Sequence, residues 1–451
     1  MNILTERFPH KKTTFSRGVH PTDCKQLAAE TAIEVLPAPP EVRIPLHQHL
    51  GAPCKVVVKP RAEVAVGDVL GEAGGFVSAP VHSSISGTTV RLSKVTLPNG
   101  RHVGAVPISA ADEQPLSGRD LWDDVYGGEW PRDGLDHYAP ETIVAAAQSA
   151  GLVGLGGAAF PTHVKLVRNE EKPIDTLLLN GCECEPYLTA DYRLMVEAPD
   201  AVVTGALVAQ RAIGASRVII CVEDNKPKAI TTLRTAAAGT DVQVRALGTK
   251  YPQGGEKQLL SAALKRTVPG GGLPLDVGVV VVNVATAASL ARAVVRGKPL
   301  THRIVSVSGA GVREPKNLLA PIGISYRELI DHCGGLRQDA VRIVAGGPMM
   351  GFTLGSLDVP VTKGTSGITV LSQAEVRSRE QTNCVRCGRC VDVCPMRLVP
   401  TRLALAARSG NADLARSYYP MACMECGSCA YACPSGLPLV QLIRLAKVLV
   451  H

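Results

Sequence analysis

Three things are missing from this chain, and each absence narrows what it is. No run spans a bilayer: the uncharged stretch from Val277 to Ala291 falls short of the roughly 20 apolar residues required, and it carries Asn283. No export signal is expected, because MNILTERFPHKKTTF bears Glu6, Lys11 and Lys12 where an apolar core would sit. No concentrated basic patch stands out either. The net charge of +8 is mild for 451 residues; it permits an acidic partner or an anionic membrane surface but does not point to nucleic acid. A soluble, cytoplasmic chain with no nucleic-acid partner is expected.

Apolar residues make up 45% of the chain and charged residues 20%, ample for packed cores, and the length fits about three domains. Cysteine is abundant, at 14 residues. Without an export signal these read as metal or redox ligands rather than disulfides. Six are scattered (24, 54, 182, 184, 221 and 333) and eight form two runs. The runs are CVRCGRCVDVCP (Cys384, Cys387, Cys390, Cys394) and CMECGSCAYACP (Cys423, Cys426, Cys429, Cys433), with identical C-x2-C-x2-C-x3-C-P spacing displaced by 39 residues.

That spacing is the two-cluster ferredoxin pattern, in which the fourth cysteine of each run ligates the other run's cluster. One [4Fe–4S] cluster then takes Cys384, Cys387, Cys390 and Cys433, and the second takes Cys423, Cys426, Cys429 and Cys394. Structural zinc would use two C-x2-C pairs instead. The intervening TRLALAARSGNADLARSYYP reads as one or two helices and LPLVQLIRLAKVLVH as a terminal helix, so the clusters sit in a small helical module.

The glycine-rich stretch GLVGLGGAAFPTHVK (151–165) contains a G-x-G-x-x-G/A match at Gly154–Ala159. Its flanks do not suit a Rossmann loop, which follows a strand. Here the helical PETIVAAAQSAG precedes it, a short helix THVKLVRNEE follows, and the strand Thr176–Asn180 comes next. A phosphate role remains, because small residues let several backbone N–H groups converge and Lys165 adds a point charge. Helix packing by small residues is the bland alternative.

Around this stretch the chain divides into four segments. Residues 1–135 form a β-rich module, with short β-branched segments broken by Gly-Asp, Gly-Gly and Ser-Gly turns. It resembles a biotinyl/lipoyl barrel-sandwich, yet the hairpin that would carry a modified lysine reads His82-Ser-Ser-Ile-Ser86. Residues 136–298 are α/β, with strands Thr176–Asn180, Arg217–Val222 and Val277–Val284 alternating with helices 199–213 and 226–238. Its polar loops Asn180–Pro186, Tyr251–Lys257 and Asn283–Thr286 lie where ligands bind such sheets. Residues 299–365 are a smaller α+β unit and 366–451 the cluster module. Cys182 and Cys184 alternate along an extended segment and read as packing thiols; Cys24, Cys54, Cys221 and Cys333 read as buried small hydrophobes.

The strings HPTDCKQ, GFVSAPVHSSISG, GLGGAAFPTHVKL, NGCECEPYLTADYR, YPQGGEKQLL and GGPMMGF, ahead of two ferredoxin runs, closely resemble the RnfC (RsxC) family of Rnf electron-transport complexes. The core is also similar to the NADH- and FMN-binding flavoprotein subunit of respiratory complex I. The resemblance implies non-covalent FMN, an NADH/NAD+ site over it, a β-grasp ligand-binding module at 299–365 and two [4Fe–4S] clusters. It implies a peripheral subunit on the cytoplasmic face of the bacterial inner membrane, partnered by other subunits and, through them, by ferredoxin or flavodoxin.

Carried over by position, Gly154, Gly156, Lys165 and Asn180 correspond to FMN contacts, and Phe160, Glu183, Glu185 and Glu256 line the nicotinamide side. Glu183 and Glu256 are the expected catalytic carboxylates; Gly157, Tyr251, Gly254, Asn283 and Thr286 complete the cofactor contacts. Three positions depart from the complex I pattern: Leu155 for an arginine, Cys182 for an aspartate and Gly255 for a glutamate. Two rival functions stand beside an NADH oxidoreductase: a non-catalytic iron–sulfur scaffold, and a soluble diaphorase subunit of a hydrogenase or formate dehydrogenase.

Overall fold

The computed structural model describes residues 13–168, 171–376 and 380–450. At its centre lies a four-stranded parallel sheet in the order Val242–Leu247, Arg217–Glu223, Thr176–Gly181, Val279–Asn283. Three of its strands, all but the edge strand Val242–Leu247, are nearly continuous runs of Leu, Ile and Val, as a sheet covered on both faces requires. The helices Pro199–Ile213 and Val284–Val295 pack tightly together on it. A Cβ at Gly205 would fall 1.9 Å from Ala287 O, so only glycine permits that approach.

The direction of winding reverses between Thr176–Gly181 and Val279–Asn283, which are neighbours in the sheet although two other strands come between them in the chain. Asn180 and Asn283 are register partners at the carboxyl ends of those two strands. In open parallel sheets this switch point is where a ligand crevice forms. The fold therefore creates a site beside two asparagines before any glycine loop is considered.

The β-module is two small antiparallel sheets, one of five strands built around His102–Ala110 and one of three. Its hairpin at His82–Ile85 is buried rather than projecting, and Ser84 Oγ donates to Ile322 O at 2.5 Å. The module also packs on the glycine loop. Leu50 N–H donates to Ala159 O at 3.1 Å, and the buried Lys363 ammonium donates to Pro80 O and Gly151 O, both at 2.6 Å.

The α+β unit is a six-stranded mixed sheet in the order Ile33–Val35, Lys316–Pro321, His302–Ser308, Gly367–Ser372, Ala340–Ala345, Phe352–Thr353. Two boundaries drawn from sequence need correction. The sheet is completed by Gly367–Ser372, beyond the cut at 365, because that strand pairs in parallel with His302–Ser308. Its outer edge is Ile33–Val35, a segment assigned to the β-module, which pairs with Lys316–Pro321. Long-range pairing of this kind leaves no mark on a local reading. The expected helix THVKLVRNEE is shorter, Thr162–Leu166, with 169 and 170 outside the described residues.

In the last module the two cysteine runs fold alike. Each ends in a four-residue helix, Arg389–Asp392 or Ser428–Tyr431, entered through a left-handed glycine, Gly388 at φ 76° and Gly427 at φ 79°. The helices Pro400–Arg408, Ala412–Ser417 and Leu439–Val450 enclose them, and Leu398, Leu403, Leu439 and Ile443 pack against Cys390, Cys394, Cys429 and Cys433.

Candidate functional site

The glycine loop closes on itself: Gly154 N–H donates to Phe160 O at 2.8 Å and Ala159 N–H to Gly154 O at 3.2 Å. Gly156, Gly157 and Ala158 are left exposed at its tip. Gly157 sits at φ +106°, where a side chain would be strained, and open space surrounds the position its Cβ would take. The loop is tied to the switch point through Leu155, whose N–H donates to Thr286 Oγ1 at 2.8 Å and whose carbonyl accepts from the buried Arg303 at 3.2 Å.

Both switch-point asparagines are committed to shaping the crevice. Asn283 Oδ1 caps the helix Val284–Val295 by accepting from Ala285 N–H at 2.9 Å and Thr286 N–H at 3.3 Å. Its Nδ2 donates to Asp191 Oδ2 at 2.7 Å and Asn180 O at 3.5 Å. Asn180 in turn donates to Gly254 O at 2.8 Å and accepts from Cys182 N–H at 3.2 Å. Burial, reinforced by the neighbouring Glu183 charge, pushes the Asp191 carboxyl up from its ordinary range.

Lys165 reaches the same crevice, donating to Glu256 Oε1 at 2.5 Å and to Val281 O at 3.3 Å. Both side chains of this ion pair are about a third or more exposed, 32% and 43%. An exposed pair of this kind contributes little stability, so the ammonium is available to an incoming anion. Gly154, Gly156, Gly157, Lys165, Asn180, Gly254, Glu256, Asn283 and Thr286 thus lie on segments brought together at the switch point, with Phe160 closing the loop through its backbone.

Three expected site residues face elsewhere. Glu183 is in the left-handed region (φ 43°), and its carboxylate accepts from Asp191 N–H at 2.7 Å and Tyr192 N–H at 3.1 Å, capping the helix Ala190–Glu197. Glu185 accepts from Met349 N–H at 3.2 Å and Met350 N–H at 2.9 Å, so it holds the GGPMMG turn. Enclosure by protein raises its carboxyl to about 7, against the lowering pull of those two N–H groups. Tyr251 is buried, with its hydroxyl donating to Cys426 O at 2.7 Å, which makes it a link to the cluster module rather than an open cofactor contact.

Two lysines that sequence reading passed over hold the Asn180–Pro186 loop from beneath. Lys25 donates to Glu185 O at 2.9 Å and Leu188 O at 2.6 Å, and Lys226 to Cys182 O at 2.7 Å and Glu223 Oε2 at 3.0 Å. Both are buried. Lys25 stands in the string HPTDCKQ, which signalled that the segment matters but not what it touches. Cys182 is buried, and burial raises the Cys184 thiol to about 12, as packing thiols require. Cys54, Cys221 and Cys333 are likewise buried, while Cys24 is half-buried.

The structure groups cysteines from both runs together. A small cavity is lined by Cys384, Cys387, Cys390 and Cys433, with Val385 and Leu439. Burial and then the nearby Cys426, Cys423 and Cys394 raise the Cys429 thiol, so those four form the second group. Among the described residues no three His, Cys, Asp or Glu side chains close to the spacing of a single-ion site. Thiolates so crowded need the positive charge of bound iron to stay deprotonated. Backbone N–H groups already point at sulfur: Arg386 N–H at Cys384 Sγ and Glu425 N–H at Cys423 Sγ, each at 3.4 Å.

The second group adjoins the crevice. Val19, Tyr251 and Cys426 form a buried cluster flanked by Cys184, Met349, Val393 and Met424. The segment Arg17–Val19 stitches it: Val19 N–H donates to Tyr251 O at 2.9 Å and Gly18 N–H to Val393 O at 3.0 Å.

Comparison with known proteins agrees with this domain architecture. Four domain families match: the RnfC barrel sandwich hybrid domain over 13–113, the Nuo51 FMN-binding domain over 147–292, the SLBB domain over 304–353 and the 4Fe-4S dicluster domain over 383–437. The chain is 42% identical over 406 residues to the C-type component of the proton-translocating ferredoxin:NAD(+) oxidoreductase complex of Clostridium ljungdahlii, covering 90% of this chain and 87% of that one. It is 42% identical over 439 residues to the Na(+)-translocating counterpart of Acetobacterium woodii, covering 97% of each. It is 40% identical over 448 residues to the corresponding component of the ion-translocating oxidoreductase complex of Rhodobacter capsulatus, covering 99% and 85%. Among solved structures, an NAD+-reducing [NiFe]-hydrogenase in its H2-reduced state superposes with a TM-score of 0.51 at 19% identity, over 73% of this chain and 66% of that one. At that identity the likeness concerns fold alone.

Proposed function

We propose that this chain, which belongs to the RnfC family of ion-translocating ferredoxin:NAD(+) oxidoreductase complexes, is the electron-input component of such a complex, exchanging electrons between NADH, a non-covalent FMN and two [4Fe–4S] clusters. Bound flavin supplies the exchange between a two-electron hydride and the single electrons that clusters carry. One observation carries the reading: the hydrogen bond from Tyr251 to Cys426 O sets the loop of one cluster against the switch-point crevice.

The residues present fit these groups. The open tip at Gly156–Ala158 offers backbone N–H groups to a phosphate, and Lys165 leaves its exposed pairing with Glu256 to meet it. Asn180, Asn283 and Thr286 hold the crevice walls in place. Glu256, released from Lys165, orients the nicotinamide, and Glu183 does so indirectly by holding Asp191 and its helix. Cys394, Cys423, Cys426 and Cys429 hold the cluster nearer the crevice, and Cys384, Cys387, Cys390 and Cys433 the outer one.

Among the described residues no helix is long and apolar enough to cross a membrane. The chain sits on the cytoplasmic face of the cell membrane through its partner subunits. Ferredoxin or flavodoxin exchanges electrons through the assembled complex. The N-terminal barrel-sandwich and the paired cysteine runs favour this over a soluble diaphorase component.

An anaerobic NADH titration, following flavin and cluster absorbance together, tests the proposal on the parent and on Cys426→Ser. The parent should bleach at both; the variant should still bleach its flavin but fail to pass single electrons onward. Purified parent with clusters and no flavin, or a variant whose clusters reduce normally, would overturn it.

A further inference from the structure

The helix Glu256–Leu264 starts in the crevice, where Glu256 meets Lys165. Two residues on, Gln258 reaches the cluster module instead. It is 4% exposed, and its Nε2 donates to Met396 Sδ at 3.4 Å. A Cβ at Gly255 would collide with both Gln258 Oε1 and Met424 Cε, so the amide and that methyl converge over the glycine.

The two methionines locate the amide. Met396 follows Cys394 by two residues, and Met424 stands between Cys423 and Cys426. Gln258 therefore lies against ligand loops from both runs, and all three of these cysteines belong to the second group. Backbone donors within the loops already reach that group: Leu398 N–H at Cys394 Sγ and Glu425 N–H at Cys423 Sγ, each at 3.4 Å. Gln258 comes from outside the module, on the helix that carries Glu256.

The bonding of this amide is incomplete. A primary amide has two N–H donors and a carbonyl acceptor, and a thioether is a weak partner for the one donor it occupies. Oε1 is buried with no hydrogen-bond partner. Leucine or methionine would fill such a space without orphaning a carbonyl, so packing alone does not account for a glutamine. With Oε1 unheld, only the weak contact to Met396 fixes the amide plane, and an N–H is free to turn toward a stronger sulfur acceptor.

We infer that Gln258 donates an amide N–H to the sulfur shell formed by Cys394, Cys423, Cys426 and Cys429, and thereby sets the potential of the cluster held there. This rests on the cluster assignment proposed above. On reduction that cluster gains one electron and no group moves. The added negative charge spreads over sulfur, and an N–H dipole in a water-poor site favours it. The bond raises the potential and draws the electron from the flavin side toward the cluster. One helix then serves both ends of the transfer, with Glu256 at the crevice and Gln258 at the cluster.

The test uses the full chain with flavin and clusters, prepared anaerobically, and Gln258→Met, which keeps the length of the side chain but no N–H. Redox titrations followed by electron paramagnetic resonance, with the two cluster signals assigned through Cys426→Ser and Cys433→Ser, should show the inner potential falling and the outer one unchanged. A tenfold loss in the equilibrium for reducing the inner cluster corresponds to about 59 mV for one electron. Iron, flavin and melting temperature should match the parent. In parent labelled isotopically at the glutamine side-chain nitrogen, pulsed resonance on the reduced inner cluster should show a coupling to that nitrogen, lost in Gln258→Met. An unshifted inner potential overturns the inference, as does a variant that melts lower or loses iron while its remaining inner cluster keeps the parental potential. Should Gln258→Met fail to fold, the labelled parent decides alone: no side-chain nitrogen coupling overturns the inference. A parent lacking two cluster signals would instead indict the cluster reading.

Discussion

The Tyr251 hydroxyl donates to the carbonyl of Cys426 at 2.7 Å, so the loop beside the switch-point crevice and the second cysteine group share one buried hydrogen bond. Tyr251→Phe leaves that carbonyl without its donor, a cost of about 1–3 kcal/mol for a buried group. Flavin and iron should be retained in full. The resonance signal and potential of the inner cluster should shift, and transfer from flavin to cluster should slow. A variant with the parental signal and rate would show the bond to be incidental.

At Gly156 the structure separates fold from ligand. A Cβ there would lie 3.5 Å from Asn283 Cβ, an ordinary contact, so Gly156→Ala should fold and keep its clusters. The same methyl stands at the open tip where a phosphate would approach backbone. Flavin affinity should fall by at least about tenfold, roughly the 1.4 kcal/mol that such a factor represents. Full flavin occupancy in Gly156→Ala would place the phosphate elsewhere.

Glu183 and Glu256, paired as catalytic carboxylates by resemblance, should behave differently. Glu183→Ala strips the cap from the helix Ala190–Glu197, at about 1–2 kcal/mol by analogy with lost N-caps, and should lower the melting temperature as well as the rate of flavin reduction. Glu256→Ala breaks only an exposed ion pair and should slow flavin reduction with little change in melting. Thermal scans beside stopped-flow absorbance distinguish the two. Parental melting of Glu183→Ala would refute the capping role.

Glu185 should respond to pH near neutrality. Its enclosure raises the carboxyl to about 7 in the folded chain, above the ordinary value of 4.5. The folded state therefore holds an extra proton between those values, and this group's contribution to stability, present at lower pH, is lost as pH rises through the window. Infrared difference spectra should show a carboxylic-acid band that titrates around pH 7 and vanishes in Glu185→Gln. The variant should also gain stability over the parent on going from about pH 5 to about pH 8. A band absent across that range would remove the assignment.

Much of this architecture is written locally. The cysteine spacing matches the two-cluster ferredoxin pattern, from which crossed ligation is expected, and in the structure Cys433 lines one small cavity with Cys384, Cys387 and Cys390. Apolar runs such as Thr176–Gly181 announce a parallel sheet, and the helix ahead of Gly154 already ruled out a Rossmann loop. Hydrophobic period and ligand spacing are short-range properties, so a single sequence displays them.

What the chain order does not display is which distant segments meet. Lys25 and Lys226 lie far apart along the chain yet both support the Asn180–Pro186 loop, and Arg17–Val19 joins Tyr251 to Val393. Ile33–Val35 completes a sheet whose other strands begin at His302. Glu183 looked like a residue facing substrate, but only the placement of Asp191 and Tyr192 over its carboxylate made it a helix cap. Spacing and residue type mark the candidate metal ligands and the apolar strands; the direction each polar side chain faces is set by burial and hydrogen-bond satisfaction, and these depend on partners that only the folded chain brings within about 3 Å of one another.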